Sequence, residues 1–444
     1  MFRAILSFKI LLSCLLFPAT AAAAPGAVGV AGDVGMGGLG GKAYATLQTG
    51  LDLREGRFGL GLFGRVRFPL QDVPTEGHVR GRDWDEASDY VHILRYMQYK
   101  HTFTRRVELL VQEGELLGFT LGHGTLLRDY SNVADPDHPH AGLQLRLAHP
   151  RLAFTAMIDN FIRPSVIAAR LEGAPAARVT PLRIGASFVI DPRAPVEVRS
   201  TAGERELDSA YNLQAETRPL PLVGIDVEYT FGGEQSGSVT PYLDTNTSFY
   251  GFGLHVGATG RVPLQTRRRM HLGAQLEYRL STAGYSPAYM ETFYDVDRFQ
   301  ASLSLADPRL ADAADRGTKL AGLRDGVYGG HGVLFQGGYE YARYVRLKLG
   351  VSHRPGPDAT SLWARVATSP IGRIDLGLLI VARGIGEGDG AANGVVVMAE
   401  GRVRIIDHLY ALAQYSRLWS VSSETRYFGI LQIFNVGLGT NWST

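Results

Sequence analysis

Residues 129–142 read DYSNVADPDHPHAG and combine carboxylates with imidazoles in one short stretch. Together they could supply the four ligand atoms that a divalent cation such as zinc commonly takes in proteins. Prolines interrupt the stretch, however, and a proline moves the preceding residue away from the helical conformation and favours turns. Metal ligands also need a rigid scaffold. The stretch is therefore interpreted as a solvated turn, and neither a metal nor a cofactor is predicted for its candidate ligands Asp129, Asp135, Asp137, His138 and His140.

A second acidic stretch, GRDWDEASDY at 81–90, surrounds a tryptophan with carboxylates. If these carboxylates lined an aqueous passage opposite arginines, they would create a transverse field that orders water and screens solutes by charge. The alternative is an ordinary hydrophilic loop, and this simpler interpretation is favoured. The residues concerned are Asp83, Asp85, Glu86 and Asp89.

Hydrolysis is the third chemistry to consider. His123, in LGHGTLLRDY, precedes Asp129 by a few residues, and a histidine oriented by a carboxylate can activate a nucleophile. The sequence contains no G-x-S-x-G motif and no glycine-rich phosphate-binding loop. A hydrolase that uses His123 and Asp129 is therefore only a secondary hypothesis.

The candidate residues are connected by segments in which apolar and polar residues alternate, as in a β-strand that faces two environments. In HLGAQLEYRL, Leu276 and Leu280 lie on one face, and Glu277 and Arg279 lie on the other. Most segments have roughly 9 to 12 residues, the length with which a tilted strand crosses a bilayer. Besides GIDVEYTF, YVRLKLGV and RIDLGLLI, the pattern occurs at about 43–53, 57–68, 106–115, 142–149, 165–172, 182–190, 331–341, 395–404 and 426–440.

The two faces of these segments indicate a membrane barrel. A soluble sandwich would also alternate, but here nearly every polar face carries charge, and the apolar faces consist of Leu, Val, Ile, Phe and Tyr. A membrane barrel turns its apolar face to lipid and its polar face to a wet lumen. Beyond the N-terminal region no run of 18 apolar residues occurs, so no transmembrane helix is expected.

The predicted fold is therefore all-β, a transmembrane antiparallel β-barrel. We expect about 18 strands, with 16–20 allowed, because such barrels have even strand numbers. Two regions leave the count open: the segment 43–53, and the region 240–254, which could be one long strand or two. The connections alternate in length, which predicts short periplasmic turns and long external loops. The short ones lie near 149–151, 263–268, 341–343, 369–372 and 405–408, and the long ones near 70–88, 118–140, 192–220, 282–330 and 384–393.

The N-terminus has the order of a secretory signal peptide: basic residues, the apolar run Ile10–Phe17 and the small residues ATAAAAPG. The predicted organisation is a signal peptide at 1–24, a Gly-rich N-terminal segment at 25–41 and the barrel at 42–444. Lipoprotein processing at Cys14, in LLSC, is an alternative with an unusually short apolar run.

Composition excludes two further classes. Cys14 is the only cysteine, so a chain cleaved after it has neither disulfides nor thiolate chemistry. The 45 basic and 43 acidic residues nearly cancel, which argues against nucleic acid as a partner.

The C-terminal sequence NVGLGTNW resembles the assembly signal of bacterial outer-membrane β-barrel proteins. Asn435, Gly437 and Trp442 match that pattern, whereas Thr440 stands where a bulkier apolar residue is usual. Combined with strands along the whole chain, the sequence resembles porin-like outer-membrane barrels, although no subfamily signature is matched. The resemblance implies location in the bacterial outer membrane, with membrane lipid and the barrel assembly machinery as partners.

Many arginines are predicted to face the lumen. They could make a pore prefer anions, or they could pair with inward carboxylates on neighbouring strands and stiffen the wall. Pairing is expected, because inward acids are nearly as numerous. The candidate pore or loop constriction consists of Asp83, Asp85, Asp89 and Asp129 with Arg65, Arg67, Arg346, Arg402 and Arg404.

The long connection 282–330 contains the aromatic sequence YSPAYMETFYDVDRF. A loop of this length is seldom bare coil. We expect it to fold inward as a plug or constriction, or to form a lid or a partner-binding surface. Its aromatic residues could line a solute path, but a packed loop core is the favoured interpretation.

The functional prediction is a non-enzymatic, passive channel for small hydrophilic solutes. The alternatives are a non-conducting barrel that anchors or docks an envelope complex, and a rim-located lipid or peptide hydrolase. Neither the solute nor the oligomeric state follows from the sequence.

Overall fold

The computed structural model describes residues 27–71, 77–103, 106–135, 138–175, 181–201, 204–233, 235–265, 269–300, 317–342, 344–368, 373–386, 394–421 and 428–443. The predicted signal peptide at 1–24, with Cys14, and the candidate ligand Asp137 lie outside these residues.

Twenty strands form the wall of the molecule. In chain order they are β1 Ala27–Leu39, β2 Lys42–Glu55, β3 Phe58–Pro69, β4 Leu94–Phe103, β5 Val107–Gly114, β6 Gly142–His149, β7 Leu152–Ile158, β8 Ile167–Gly173, β9 Leu182–Val198, β10 Ala215–Tyr229 with its continuation Phe231–Gly233, β11 Gly237–Ser248, β12 Phe252–Gln265, β13 Met270–Ser281, β14 Gly330–Tyr341, β15 Val345–His353, β16 Thr360–Thr368, β17 Ile374–Arg383, β18 Val395–Ile406, β19 Leu409–Val421 and β20 Phe428–Ser443.

Each strand pairs antiparallel with its neighbours in the chain, and β1 pairs with β20, so the sheet closes on itself. A closed sheet has no edge strand with unpaired backbone groups. At the closing seam Gly35 lies opposite Gly437. The structure therefore confirms the all-β antiparallel barrel.

The predicted count of about 18 strands is too low by two. Strand β1 lies within the Gly-rich segment 25–41, which the sequence predicted to precede the barrel. The segment shows no alternation of apolar and polar residues, because its glycines have no side chains. The region 240–254 contains parts of two strands, β11 and β12, because the chain reverses at 249–251.

The wall is inverted relative to a soluble sheet. Along β13 the exposed fractions are 62% for Leu276 and 46% for Tyr278, but 1% for both Glu277 and Arg279. The apolar side chains therefore point outward, and the charged ones point into the lumen. Large aromatic side chains are exposed near both rims, as in the aromatic girdles of membrane barrels; Phe58, Phe231 and Trp442 lie near one rim and Phe249 near the other.

The connections differ in length between the two rims. One rim, here the short-turn rim, has turns such as 56–57, 150–151 and 407–408. The opposite, long-loop rim includes the connections 70–93, 115–141 and 282–329, but also the tight connections 40–41 and 249–251. We call 115–141 loop A and 282–329 loop B.

In the part of the chain that the structure describes, helices occur only in the connections: the 3-10 helix Gly81–Asp83 and the α-helices Ala87–Val91, Tyr294–Asp297 and Lys319–Arg324. Two short hairpins pair Leu117–Phe119 with Tyr130–Ser131, and Ser200–Thr201 with Glu204–Arg205. Within the described residues, no helix has the length and apolar character needed to cross a membrane.

The hydrophobic core lies inside the barrel, where loops A and B fold into the lumen. Its members include Leu127 and Tyr130 of loop A and Tyr285, Met290 and Tyr294 of loop B, all at most 1% exposed. The described parts of loop B, 282–300 and 317–329, therefore fold inward, one of the alternatives expected from its length, and their tyrosines form a packed core.

Candidate functional site

Loops A and B form a partition across part of the lumen. Their backbones pair in parallel, with hydrogen bonds from Ala288 N to Thr125 O (2.7 Å), from Met290 N to Leu126 O (3.2 Å) and from Arg128 N to Met290 O (3.0 Å). These bonds satisfy polar backbone groups that would otherwise be buried without partners. The partition is therefore a packed structure with fixed side chains.

Two polar cavities lie against the partition. The lower cavity, of about 930 Å³, is lined by strands β4–β9 towards the short-turn rim and by the first residues of loop A. The upper cavity, of about 620 Å³, is lined by residues of the long-loop rim, among them Arg82, His140 and Asp295. Both volumes lie in the range of small-molecule binding sites.

The predicted constriction residue Asp129 lies in loop A, next to the wall. Its Oδ2 accepts a hydrogen bond from Lys348 Nζ at 2.6 Å. Burial raises the pKa of Asp129, but Lys348 and Arg365 outweigh this effect, so the pKa is lowered and the carboxylate is ionised. The residue adopts φ 48°, a left-handed conformation that Asp tolerates better than most residues.

The other predicted acids belong to a separate cluster on the connection 70–93. The side chain of Asp83 is 3% exposed, and it accepts bonds from Arg67 Nη1 (2.9 Å) and Arg80 Nη1 (2.6 Å). Asp85 is exposed. Asp89 caps the helix Ala87–Val91 by accepting a bond from Glu86 N, and burial raises its pKa to about 7. Asp83 and Arg67 therefore meet as predicted, whereas Asp83 and Asp129 have different partners.

The remaining predicted arginines differ in burial. Arg65 is buried on the same strand face as Arg67. Arg402 pairs with Glu400 two residues earlier. Arg346 and Arg404 lie near the short-turn rim and are exposed.

Ion pairing along the wall is extensive, as expected for these strands. Arg279 pairs with Glu277, Arg183 pairs with Glu172 at 2.5 Å, and Arg170 pairs with Asp226 of the next strand but one.

His123 of loop A lies at the centre of a carboxylate cluster. Its Nε2 is 3.0 Å from Glu228 Oε2, and its Nδ1 is 3.6 Å from Asp244 and 3.9 Å from Asp226. The ring stacks on Tyr242 at 3.8 Å. Burial lowers the pKa of His123, but the bonds to Asp244 and Glu228 outweigh it and raise the pKa to about 9. His123 is therefore an imidazolium that attaches loop A to β10 and β11. We call these residues the His123 cluster.

The hypothetical hydrolytic pair His123 and Asp129 does not form. His123 binds carboxylates of β10 and β11, whereas Asp129 binds Lys348 of β15. A protonated imidazole is also unable to accept the proton of a nucleophile. The geometry therefore gives no support to a hydrolase at this position.

His140 lies in a second cluster, between loop A, the connection 159–166 and loop B. Its Nδ1 is 3.9 Å from Asp159 Oδ2 and 3.8 Å from Asp295 Oδ2. Tyr130 OH lies 3.1 Å and 3.0 Å from the same two oxygens. Burial raises the pKa of Asp159 and that of Asp295 to about 7. At Asp159 the negative charge of Asp295 raises the pKa further. Burial lowers the pKa of His140. We call these residues the His140 cluster.

The prediction of a solvated turn at 129–142 is thus wrong for most of its described residues. Tyr130 and Asn132 are at most 1% exposed. His138 Nδ1 lies 3.2 Å from Asp135 Oδ2, and its Nε2 lies 2.9 Å from Ala210 O, as for a hydrogen bond donated to this carbonyl. The stretch enters the lumen because its apolar residues pack against loop B.

Loop B is fixed to loop A and to the wall by charge. Glu291 accepts a bond from Arg128 Nη2 (2.5 Å) and lies 3.4 Å from Arg383 and 3.8 Å from Arg354. Burial raises the pKa of Glu291, but these guanidinium groups outweigh it and hold the pKa below its usual range.

Sequence analysis did not single out Glu291, Asp159 or Asp295 as site residues, and it placed Lys348 only on a polar strand face. Their partners are remote in the chain, and no local spacing connects them.

The residues of the predicted assembly signal lie on β20. Asn435 is 1% exposed, and Gly437 faces Gly35 at the seam. Trp442 is 58% exposed and stacks on His408 at 4.3 Å. The assembly role of these residues remains a prediction.

No protein-family model matches the chain, and no curated protein matches it. Among solved structures it is similar to OccK2 (OpdF) of Pseudomonas aeruginosa in complex with glucuronate, with 13% identity over 94% of this chain and 98% of the other, and a TM-score of 0.38. OccAB3 of Acinetobacter baumannii has 9% identity, coverage of 94% and 99%, and a TM-score of 0.36. A mutant of the ferric enterobactin receptor PfeA of P. aeruginosa has 10% identity, coverage of 95% and 81%, and a TM-score of 0.36.

These low identities and TM-scores transfer neither a solute nor a site to this chain. The class of the protein follows from its own structure: a closed antiparallel sheet, an apolar outer wall with aromatic rims and a charged lumen. These are the properties of a transmembrane β-barrel of the outer-membrane type.

Proposed function

We propose that the protein is a passive channel through which small hydrophilic solutes cross the outer membrane. The observation that carries the proposal is the pair of polar cavities, of about 930 and 620 Å³, on the two sides of a loop partition inside the barrel. A barrel that served only as an anchor would have no need of charged, solute-sized cavities.

The partition would set the size limit. Its loops are held by their mutual backbone bonds and by ion pairs to the wall, such as Lys348 with Asp129 and Arg383 with Asp297. Solutes would pass between these loops and the wall, where water is replaced in part by fixed charges.

The lower cavity favours anions. Six arginines and three glutamates line it. Most of these arginines have carboxylate partners, as Arg183 has in Glu172. Within the described part of the chain, Arg106 and Arg146 form no ion pair, and the same holds for Glu108. The excess positive charge would attract anionic solutes at physiological ionic strength, where the Debye length is about 8 Å.

Planar-bilayer recording of the refolded full-length barrel tests the proposal. We expect a small, stable unit conductance, and a reversal potential in a salt gradient that indicates preference for anions. The double variant Arg106→Gln/Arg146→Gln should lose the preference while keeping the conductance. The matched variant Arg346→Gln, at an exposed arginine of the same rim, should change the reversal potential less.

A loop-deletion variant completes the test. Replacing residues 284–328 with a short flexible linker removes loop B, so its unit conductance should exceed that of the wild type several-fold. If the wild type, shown to be folded by heat-modifiable mobility, has no unit conductance while the deletion variant conducts, loop B is a plug. The channel proposal is then wrong, and the anchor or docking platform is favoured.

A further inference from the structure

We propose that the His140 cluster is a binding site for a first-row divalent cation. Its ligands would be His140 Nδ1, Asp159 Oδ2 and Asp295 Oδ2, all within 4.8 Å of one another. A cation placed between them would lie near the bonding distances of about 2.0–2.2 Å that zinc makes with imidazole nitrogen and carboxylate oxygen. This inference does not depend on the proposed channel function.

The polar atoms of the cluster are not satisfied by the protein alone. The ring nitrogen His140 Nδ1 faces both carboxylates at a distance too long for a hydrogen bond, and it has no hydrogen-bond partner among the described residues. The side chain of Asp295 is 8% exposed, and its Oδ1 likewise has no partner among them. Buried polar atoms are rarely left in this state without an unseen ion or water.

Tyr130 lies between the two carboxylates and supplies too few hydrogens for both. Its hydroxyl lies 3.1 Å from Asp159 Oδ2 and 3.0 Å from Asp295 Oδ2. A hydroxyl has one hydrogen, so it donates to only one of these oxygens. The other oxygen does not receive this hydrogen: Asp159 Oδ2 would keep a 3.2 Å bond from Ser165 N, whereas Asp295 Oδ2 would be open to a proton or a cation.

The scaffold fixes the ligands before any ion arrives. Asp159 is fully buried, and its Oδ1 accepts bonds from the backbone N–H groups of Ser165 (3.0 Å) and Val166 (2.9 Å). His140 N donates to Asn132 O at 3.0 Å. Such support around the ligands is what gives a metal site its affinity.

The ion would have a path to the site. His140 and Asp295 both line the upper cavity, which opens towards the long-loop rim. One imidazole nitrogen and two carboxylates suit zinc or manganese better than calcium, which prefers a larger number of oxygen ligands.

The consequence would be a crosslink. Asp159, His140 and Asp295 come from the connection 159–166, loop A and loop B, so one ion would join three segments of the long-loop rim. The bound cation would therefore stiffen the partition.

The test uses the refolded full-length barrel, from which metal has been removed with a chelator. The protein is titrated with Co²⁺, whose ligand-field absorption reports coordination, and separately with Zn²⁺, whose binding is measured by calorimetry. We expect one equivalent to bind at this cluster, and either His140→Gln or Asp295→Asn to weaken it by more than about tenfold. Tyr130→Phe should weaken it by about 10- to 100-fold, as loss of a residue that supports ligands does.

The matched control is His138→Gln, which removes a neighbouring histidine of the same loop and should leave the affinity unchanged. All variants are first shown to be folded by heat-modifiable mobility. If folded wild-type protein binds neither Co²⁺ nor Zn²⁺, or if His140→Gln and Asp295→Asn bind as well as the wild type, the carboxylates share a proton instead and the metal site does not exist.

Discussion

Among the described residues, the lumen contains two clusters made of one histidine and two or more carboxylates, and they differ in what neutralises the negative charge. In the His123 cluster, Arg170 binds Asp226 with Nη2 at 3.0 Å from Oδ1, and the imidazolium of His123 binds Glu228. In the His140 cluster the groups nearest the carboxylates are a tyrosine hydroxyl, backbone N–H groups and the imidazole of His140, whose Nδ1 lies 3.8 and 3.9 Å from them.

This difference shows why residue types alone do not predict chemistry. In the His123 cluster the guanidinium of Arg170 binds Asp226 and the imidazolium of His123 binds Glu228, while His123 Nδ1 lies only 3.6 Å from Asp244, so the cluster acts as an attachment point for loop A. A metal would have to displace both cations there. The His140 cluster lacks such cations in direct contact, so the same residue types form a site that is open to one.

The largest expected effect on the free energy of unfolding comes from replacing each of the two histidines, in separate variants, with the neutral residue glutamine. His123→Gln leaves Asp226, Glu228 and Asp244 without their imidazolium, and removing one partner of a buried ion pair costs about 3–5 kcal/mol. His140→Gln, in chelated buffer, removes a ring without a hydrogen bond at Nδ1 and should cost only about 1 kcal/mol. Urea unfolding of both variants in lipid vesicles measures the difference. Equal losses would contradict the contrast between the clusters.

The second prediction uses pH. The pKa of His123 is about 9 in the folded protein and 6.5 in an unfolded reference, so the folded state binds the proton more tightly. The stabilisation is fully present below pH 6.5 and is lost as the pH rises through 9. Such a shift corresponds to about 3 kcal/mol.

Between pH 6.5 and 9.5 the free energy of unfolding of the wild type should therefore fall by about 3 kcal/mol relative to that of His123→Gln. Measuring both proteins across this range isolates the histidine, because all other titrating groups are shared. Parallel curves would show that His123 is neutral when folded.

The wall of the barrel could be predicted from the sequence, because a strand between lipid and water leaves a local pattern. In β13, outward-facing apolar residues alternate with inward-facing charged residues at every position from Leu276 to Arg279. β1 does not, since its glycines carry no side chain, and its membership in the barrel depends on pairing with β2 and β20.

The sites could be predicted only in part. Arg67 and Asp83 were both candidates and do meet. The His140 cluster could not be found, because Asp295 is 165 residues from Tyr130 in the chain. Both residues lie in irregular loops, whose sequences have no periodic pattern that would predict the contact. Contacts between loops depend on how two irregular segments pack, and no spacing in the chain reports that.

The smallest expected effect tests how His123 is held in position. The preceding residue, Gly122, adopts φ 57°, and an added Cβ would lie 2.8 Å from Arg170 Nη1. A left-handed conformation costs an ordinary residue about 1–2 kcal/mol. Gly122→Ala should therefore destabilise the barrel by about that amount and push Arg170 away from Asp226, which would bring the His123 cluster closer in character to the His140 cluster.

Gly64→Ala is the matched control, because the nearest atom to its added Cβ is 3.9 Å away, and it should change stability by less than about 0.5 kcal/mol. If Gly122→Ala gained weak Co²⁺ binding together with the loss of stability, the presence of Arg170 would be the feature that separates the two clusters. If Gly122→Ala had the same free energy of unfolding as Gly64→Ala, loop A would be positioned by its packing against loop B and not by the contact with Arg170.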